Sequence, residues 1–441
     1  MRKTILVLLI VMMSQLTALA GSNYVVVEVH SSVRATAVAA SVGGTVVDSI
    51  PGTSYYLVKV PSAAALVRNP AVVSAELDDA VSLRPAGGLG ILKMAASPVP
   101  EWYAGQPAMK LVRADRAQAI ATGRGIVVAD LNSRIDYGHP ALRGHLTGGY
   151  DFVAERAARG ATLNQSSASF LDQSSAAFLD QSSAAFLDQS SAAFLDQSSA
   201  AFLDQSTAAF LDQSTASFLD QSSASFLDAT NPAHGHGTFV AGLIAVVAPD
   251  AMIMPLRVFD DGGYADAFVI ARAIHHDVQN GADVINMSFG MTSEMKVVKQ
   301  AVAFAASRGV TVVASAGNSN TDVPQYPAAF NDVIGVAATD LTDRKAGFSN
   351  YGRAVYVDAP GVNMISAYPG GYYALASGTS FSAPLVAAEA ALLKSAARFR
   401  NANADKAIAR GAVNIDSRNP DYVRQLGFGR IDMVRALQNV N

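Results

Sequence analysis

The sequence predicts an α/β protein in which a parallel sheet carries helices on both faces and a small α/β domain precedes it. From residue 107 onward, short apolar segments alternate with longer segments that favour helices. Such alternation is typical of parallel strands joined by helical crossovers. Hydrophobic residues form 50% of the 441-residue chain and charged residues 15%. This composition indicates a large buried core and excludes a disordered chain.

Residues 1–20 have the three-part pattern of a secretory signal peptide. Arg2 and Lys3 precede an apolar run at 5–13, and small residues at 18–20 offer a cleavage site. The run ends at Ser14, well short of the roughly 18 apolar residues that a membrane span needs. We therefore expect an exported protein, secreted or periplasmic, with no membrane contact after signal removal.

Residues 21–84 predict the small α/β domain. Its strands are rich in β-branched residues, and a Pro51-Gly52 turn separates the second strand from the third. The predicted strands and helices lie at 24–29, 35–41, 45–50, 55–60, 62–67 and 72–77. Residues 85–106 contain several prolines and glycines and are predicted to be a linker.

The main domain is predicted to span residues 107–441 and to contain a repetitive insertion. Its clearest strands are predicted at 126–129, 252–258, 284–288, 310–315 and 333–338. An eight-residue unit close to Leu-Asp-Gln-Ser-Ser-Ala-Ala-Phe repeats from residue 163 to residue 226. Its composition suits low-complexity chain, but the even period would also keep each Phe on one face of stacked β-structure.

Charge and cysteine content exclude several classes of function. Lys and Arg number 32 against 36 Asp and Glu, for a net charge of −4 and no basic run, so nucleic acid is not expected as a partner. Cysteine is absent, which excludes disulfides, thiolate metal sites and cysteine nucleophiles. No segment has the spacing of a calcium loop, and we predict neither a metal nor a cofactor.

Three short segments carry side chains that could perform chemistry. His236 begins a run of small residues, Asn318 follows an apolar strand, and Ser380 lies where a helix is predicted to begin. Each has a simpler explanation when taken alone: a loop histidine, a turn residue, and a helix N-cap at Thr379 or Ser380. In an open parallel sheet, however, strand ends and helix starts converge on one crevice. A serine, a histidine and an amide donor that meet there are the parts of an acyl-transfer site.

Together these segments resemble the subtilisin-like serine peptidases, the subtilase family. His236-Gly-Thr-x-Val-Ala-Gly is similar to the family's histidine motif, and Gly378-Thr-Ser380-x-x-Ala-Pro is similar to its nucleophile motif. Residues 285–290 resemble the strand that lines the substrate cleft, 316–318 the oxyanion-hole segment, and 427–432 the closing segment. The resemblance covers residues 107–437 apart from the repeats.

The resemblance implies a subtilisin-like fold and a role for each of these residues. Ser380 would be the nucleophile, His236 the general base, and Asn318 a donor to the oxyanion. His234, two residues before the general base, matches no motif position and is interpreted as structural. Residues 21–84 are similar in layout to the family's propeptide, which implies that the chain's own propeptide is an intramolecular inhibitor.

The third triad position departs from the family's pattern. Aligned without a gap, the usual catalytic Asp falls on Asn132 and the Gly that follows it falls on Arg134. An Asn carbonyl accepts a hydrogen bond from histidine but does not stabilise the imidazolium as a carboxylate does. Asp130 lies on the same face of the strand, and a bulge or a two-residue slip would bring it to His236. Both assignments stay open at this stage, while Asp136 matches a separate family position.

The sequence therefore predicts an exported serine endopeptidase that hydrolyses peptide bonds in peptides or proteins through an acyl-enzyme at Ser380. The departure at Asn132 predicts impaired activity. The alternative is a degenerate subtilase-fold module that binds peptide or protein with little or no turnover.

Overall fold

The computed structural model describes residues 24–62, 64–83, 86–92, 99–158, 233–396 and 404–438. The predicted signal peptide at 1–20 and the octapeptide repeats at 163–226 lie outside the described residues. Within the described ranges, no helix is long and apolar enough to cross a membrane.

The N-terminal domain is a four-stranded antiparallel sheet in the order β2-β3-β1-β4 with two helices. Its elements are β1 (Tyr24–Val29), α1 (Ala35–Ser41), β2 (Thr45–Ser49), β3 (Tyr55–Lys59), α2 (Ala64–Val67) and β4 (Val72–Leu77). Alternate residues of β1 point to opposite faces: Val25 and Val27 pack with Val38 of α1, whereas Val26 packs in a core shared with the main domain. Burial on both faces explains the continuous valine run.

The remaining described strands and α-helices belong to the main domain and its connection to the N-terminal domain. In chain order they are β5 (Ala80–Ser82), β6 (Ala86–Leu92), α3 (Glu101–Ala104), α4 (Pro107–Leu111), α5 (Ala114–Gln118), β7 (Val127–Asn132), β8 (Tyr150–Asp151), α6 (Phe152–Ala158), α7 (His236–Val247), β9 (Met252–Arg257), β10 (Tyr264–Asp266), α8 (Ala267–Gln279), β11 (Val284–Met287), α9 (Lys296–Ser307), β12 (Thr311–Ser315), β13 (Val333–Thr339), β14 (Val357–Pro360), β15 (Met364–Tyr368), β16 (Tyr372–Ser377), α10 (Thr379–Ser395), α11 (Ala404–Gly411) and α12 (Met433–Gln438).

A seven-stranded parallel sheet forms the centre of the main domain, in the order β14-β13-β12-β11-β7-β9-β8. Val128 of β7 packs in a core with residues of α7 and α10. Ala129 and Leu131 point the opposite way, into a core with residues of α8 and α9. Helices therefore cover both faces of the sheet, and the predicted fold class is confirmed.

The segment expected to be a linker is partly ordered as strand and helix. β6 pairs antiparallel with β16, and α3 lies within 85–106. The reason is non-local: β16 offers a strand edge whose backbone groups would otherwise lack partners. Pairing with that edge gives the Gly-rich segment a structure that its own composition does not favour.

Candidate active site

The predicted site residues lie at one end of the parallel sheet, where strands end and helices begin. Asn132 is the last residue of β7, His236 is the first residue of α7, and Thr379 and Ser380 begin α10. β7 lies between β9 and β11, so the strand order reverses direction beside it. Crevices at such reversal points are where open α/β sheets bind ligands.

Asn132 is the residue that contacts the histidine. Its Oδ1 lies 2.7 Å from His236 Nδ1. β7 pairs with β9 in unbroken register from Val127 to Asn132, so the bulge or slip that would bring Asp130 to His236 is not present. Of the two assignments that the sequence left open, the contact with His236 is made by Asn132. Asp130 lies on the same face of β7 and contacts the amide nitrogen of Asn132 instead.

The neighbours of Asn132 define which end of its amide faces the histidine. Its Nδ2 lies 3.2 Å from both carboxylate oxygens of Asp130, and its Oδ1 accepts a 2.9 Å hydrogen bond from the Ser133 backbone N–H. Because the amide oxygen accepts, His236 must carry a proton on Nδ1. This tautomer leaves Nε2 unprotonated, as a general base requires.

Asp130 is part of a buried polar cluster that sequence reasoning did not fully foresee. It is 1% exposed and accepts a 2.9 Å hydrogen bond from Asn286 Nδ2. Burial raises the pKa of Asp130 to about 7, against the opposing effect of the hydrogen bonds from Asn286 and Asn132. Asn286 pairs with Asp130 in register across β11 and β7. A polar residue inside the apolar segment 284–287 was the available signal for it.

His236 is buried and its pKa is lowered to about 4 because burial disfavours the imidazolium. The ring lies 5.8 Å from that of Phe381, centre to centre. At neutral pH the ring is therefore a neutral base. The same burial opposes the positive charge that the ring gains when it accepts a proton.

Ser380 is held by reciprocal hydrogen bonds with Ser288. The Ser380 hydroxyl donates to the Ser288 carbonyl at 3.1 Å, and the Ser288 hydroxyl donates to the Ser380 carbonyl at 2.8 Å. Asn286 Nδ2 also lies 3.0 Å from the Ser288 hydroxyl oxygen, which connects this pair to the Asp130 cluster. Transfer of the Ser380 proton to His236 requires the bond to Ser288 to be exchanged.

The Asn318 amide is oriented by Thr379. Asn318 Oδ1 accepts from the Thr379 hydroxyl at 2.8 Å and from the Thr379 N–H at 2.9 Å. The Thr379 hydroxyl in turn accepts from the Gly317 N–H at 3.2 Å. Since the oxygen is occupied by Thr379, which immediately precedes Ser380, the amide nitrogen is the end of Asn318 that can donate to a reacting group.

The other singled-out residues lie apart from this chemistry. Arg134 is exposed and lies 4.0 Å from Asp261, so the position where the family has Gly tolerates a long side chain. Asp136 accepts from the Gly138 and Gly370 backbone N–H groups, each at 2.9 Å. His234 contacts the edge of the Tyr368 ring, which fits its interpretation as structural. Across the part of the chain that the structure describes, no group of three or more His, Cys, Asp or Glu residues could hold a metal ion.

The main domain is similar in sequence to known proteins. The family model described as "Subtilase family" matches residues 123–429. Thermitase from Thermoactinomyces vulgaris is 38% identical over 215 residues, which are 46% of this chain and 75% of thermitase. Subtilisin Savinase from Lederbergia lenta is 39% identical over 202 residues, which are 42% of this chain and 75% of that protein.

A solved structure has the same fold. Fervidolysin from Fervidobacterium pennivorans, described as a keratinolytic enzyme related to subtilisin, superposes with a TM-score of 0.66 at 22% identity and covers 95% of this chain. The chain spans 61% of the fervidolysin chain. At this identity the likeness concerns the fold alone. The family match over 123–429 and the match to thermitase, together with the geometry around Ser380, show that the chain belongs to the subtilase family.

Proposed function

We propose that this subtilase is a serine endopeptidase that hydrolyses peptide bonds through an acyl-enzyme at Ser380, with activity reduced by the Asn at position 132. The observation that carries the proposal is the convergence of His236, Asn318 and Ser380 at one end of the sheet, with Asn132 bonded to His236. Export is proposed on the signal-peptide pattern of residues 1–20.

The geometry supports a specific division of roles. Ser380 Oγ attacks the peptide carbonyl carbon while His236 Nε2 takes its proton. The Asn318 amide donates to the oxygen that becomes negative. His236 then gives the proton to the leaving amine as the C–N bond breaks, and water hydrolyses the acyl-enzyme by the same steps in reverse.

Asn132 is the residue expected to reduce the activity of this site. Its oxygen keeps His236 in the correct tautomer but is neutral, and burial already lowers the His236 pKa. Replacing the triad Asp with a neutral residue slows serine peptidases by roughly 10⁴-fold. The same observation favours the alternative function, a peptide- or protein-binding module with little or no turnover.

Labelling of Ser380 with a fluorophosphonate probe tests the proposal. We expect slow labelling of the purified protein that disappears in Ser380→Ala and accelerates in Asn132→Asp. Measurable hydrolysis of a peptide substrate should follow the same order. Absence of Ser380-dependent labelling in both the wild-type protein and Asn132→Asp would instead support the binding module.

We also propose that residues 21–84 act as the chain's own inhibitor. Two observations support this role. The N-terminal domain contacts α9 of the main domain through Glu76, whose two oxygens accept from the Lys296 and Val297 N–H groups, and through a 2.9 Å ion pair from Glu28 to Lys296. The last strand within residues 21–84, β5, pairs with β10 of the main domain.

The strand pairings also suggest where self-cleavage occurs. Ser82 pairs with Tyr264, and Ala86 pairs with Ser377, which lies shortly before Ser380. We therefore expect the first cut between residues 82 and 86. Mass spectrometry of the new N-terminus checks this, with Ser380→Ala as the uncut control. Indefinite recovery of the intact wild-type chain would contradict self-processing.

A further inference from the structure

Asp130, Asn132 and His236 form a continuous line of hydrogen bonds that the usual three-residue triad does not contain. We propose that Asp130 is a positioning residue that acts on His236 through Asn132. It holds the Asn132 amide in one orientation, and it places a negative charge on the side of that amide away from His236. This inference rests on the proposed function of Ser380 and His236. It assigns a role to a carboxyl that contacts neither the nucleophile nor the base.

The first part of the role is orientation. The two ends of an Asn amide are nearly identical in shape but opposite in hydrogen bonding. If Asn132 were reversed, its NH₂ group would face His236 Nδ1 and the ring would have to carry its proton on Nε2, where it could not act as a base. Asp130 opposes that reversal, since both its oxygens lie 3.2 Å from Asn132 Nδ2 and accept only when the amide nitrogen faces them.

The second part of the role is charge. Asn286 on β11 donates to Asp130, and the facing residue on β9 is the uncharged Pro255. Among the described residues, Asp277 on α8 interacts with this carboxyl by charge, and His236 on α7 lies on the other side of the Asn132 amide. A carboxylate at position 130 is therefore placed to attract the imidazolium that forms at His236, through one intervening amide.

Asp277 supports this assignment of the charge. It is fully buried, and neither of its carboxyl oxygens has a hydrogen-bond partner among the described residues. Burial, and then the charge of Asp130, raise the pKa of Asp277 well above its ordinary value. Asp277 therefore holds its proton while Asp130, with two amide donors and a pKa of about 7, is the member of the pair that ionises. The negative charge on Asp130 therefore develops as pH rises through about 7.

A double-mutant cycle with the fluorophosphonate probe separates this role from simple structural support. In the wild-type protein, we expect the labelling rate to rise through pH 7. Asp130→Asn should remove that rise and label about 10- to 100-fold more slowly at pH 8, the range for losing one hydrogen bond to a charged group. At pH 5.5, where Asp130 is protonated, the two proteins should label alike.

The exchanged variant, Asp130→Asn with Asn132→Asp, provides the decisive comparison. It has the composition and charge of the wild-type protein but places the carboxylate directly against His236. We expect it to label faster than the wild-type protein, so that Asp130→Asn slows labelling when residue 132 is Asn but not when it is Asp. Asp277→Asn, an equally conservative change in the same buried region, is the control and should leave the wild-type rate within about twofold, because the amide resembles the protonated acid.

NMR of ¹⁵N-labelled histidine in the Ser380→Ala protein tests the same role without activity. We expect the His236 proton on Nδ1, with a resonance that shifts as pH passes 7 in the presence of Asp130 and does not shift in Asp130→Asn. Asp130→Ala should increase the population protonated on Nε2. An unchanged tautomer and an unchanged titration in both variants would overturn the inference. Failure of the proposed function is a different result, since it would abolish Ser380 labelling and leave these spectra as expected.

Discussion

Thr379 is the residue on which the orientation of the Asn318 amide depends. We expect Thr379→Val, which keeps the branched shape but removes the hydroxyl, to lower kcat about 3- to 10-fold with little change in KM. The physical reason is that the Asn318 oxygen loses one of its two hydrogen bonds from Thr379, while the Gly317 N–H loses its hydroxyl acceptor. An oxyanion donor acts mainly in the transition state, so the loss appears in kcat. Steady-state kinetics on a peptide substrate measures both constants.

Two further variants show whether the hydroxyl itself is responsible. Thr379→Ser retains the hydroxyl and should keep kcat close to the wild-type value. Asn318→Ala should show the larger loss, on the order of 10²–10³-fold, that is typical of removing an oxyanion donor. Equal losses in Thr379→Ser and Thr379→Val would contradict the orienting role.

The same residue scale shows which parts of the site could be predicted from the sequence and which could not. Ser380, His236 and Asn318 were identified from their motifs, and the structure brings them to one end of the sheet. The choice between Asp130 and Asn132 could not be made, because both lie on one face of a strand and only the register of β7 with β9 excludes a bulge. The Asn286 contact was missed because it depends on pairing between strands that are far apart in the sequence.

At the scale of secondary structure, Glu76 joins the N-terminal domain to the main domain by capping α9. A carboxylate is favourable at a helix N-terminus, where backbone N–H groups lack partners within the helix. We expect Glu76→Ala to accelerate hydrogen exchange of the Lys296 and Val297 amides by about fivefold, since N-caps stabilise helices by typically about 1 kcal/mol. Mass spectrometry of the full-length Ser380→Ala protein measures this exchange.

One control for this prediction changes the number of acceptor oxygens at position 76, and the other changes a glutamate elsewhere in the chain. Glu76→Gln keeps one oxygen acceptor and should give an intermediate rate. Glu101→Gln changes an exposed glutamate in α3 and should leave exchange at α9 unchanged. Unaltered exchange in Glu76→Ala would mean that other contacts alone hold the N-terminal domain in place.

Elements differ in how far local sequence determines them. Five of the seven strands of the parallel sheet were predicted to within three residues at each end, because their apolar runs are buried on both faces. The two strands at the edges of the sheet, β8 and β14, were not predicted. The strand at Ala86–Leu92 was not predicted, because its Gly-rich sequence has little strand preference and its pairing partner, β16, lies almost 300 residues later. The local sequence pattern thus predicts a strand where the strand is buried on both faces. It does not predict a strand that forms only because it pairs with the edge of a strand distant in the sequence.

For the molecule as a whole, buried carboxyl groups link stability to pH. Asp277, Asp358 and Glu389 are fully buried, and none of their carboxyl oxygens has a hydrogen-bond partner among the described residues. Burial, together with neighbouring acids, raises the pKa of each well above its ordinary value. Each therefore keeps a proton in the folded protein that the unfolded chain releases above about pH 4. The contribution of such a group to stability is complete below its unfolded pKa and decreases as pH rises toward its folded pKa.

Glu389 is the simplest of these groups to test, because it lies in the middle of α10 and outside the proposed catalytic machinery. Glu389→Gln replaces a protonated acid with an amide of the same shape that does not titrate. Relative to the Ser380→Ala parent, which avoids self-digestion, we expect its free energy of unfolding to increase between pH 5 and pH 8, by up to about 1.4 kcal/mol per pH unit. Denaturant unfolding across this range measures the difference, and the contributions of His236 and the other titrating groups cancel because they are common to both proteins.

The control is Glu101→Gln in the same parent, and its free energy of unfolding should equal that of the parent at every pH. If the free energy of unfolding of Glu389→Gln changes with pH as that of the parent does, the Glu389 carboxyl is ionised in the folded protein. An unrecognised cation or water must then lie beside that carboxyl.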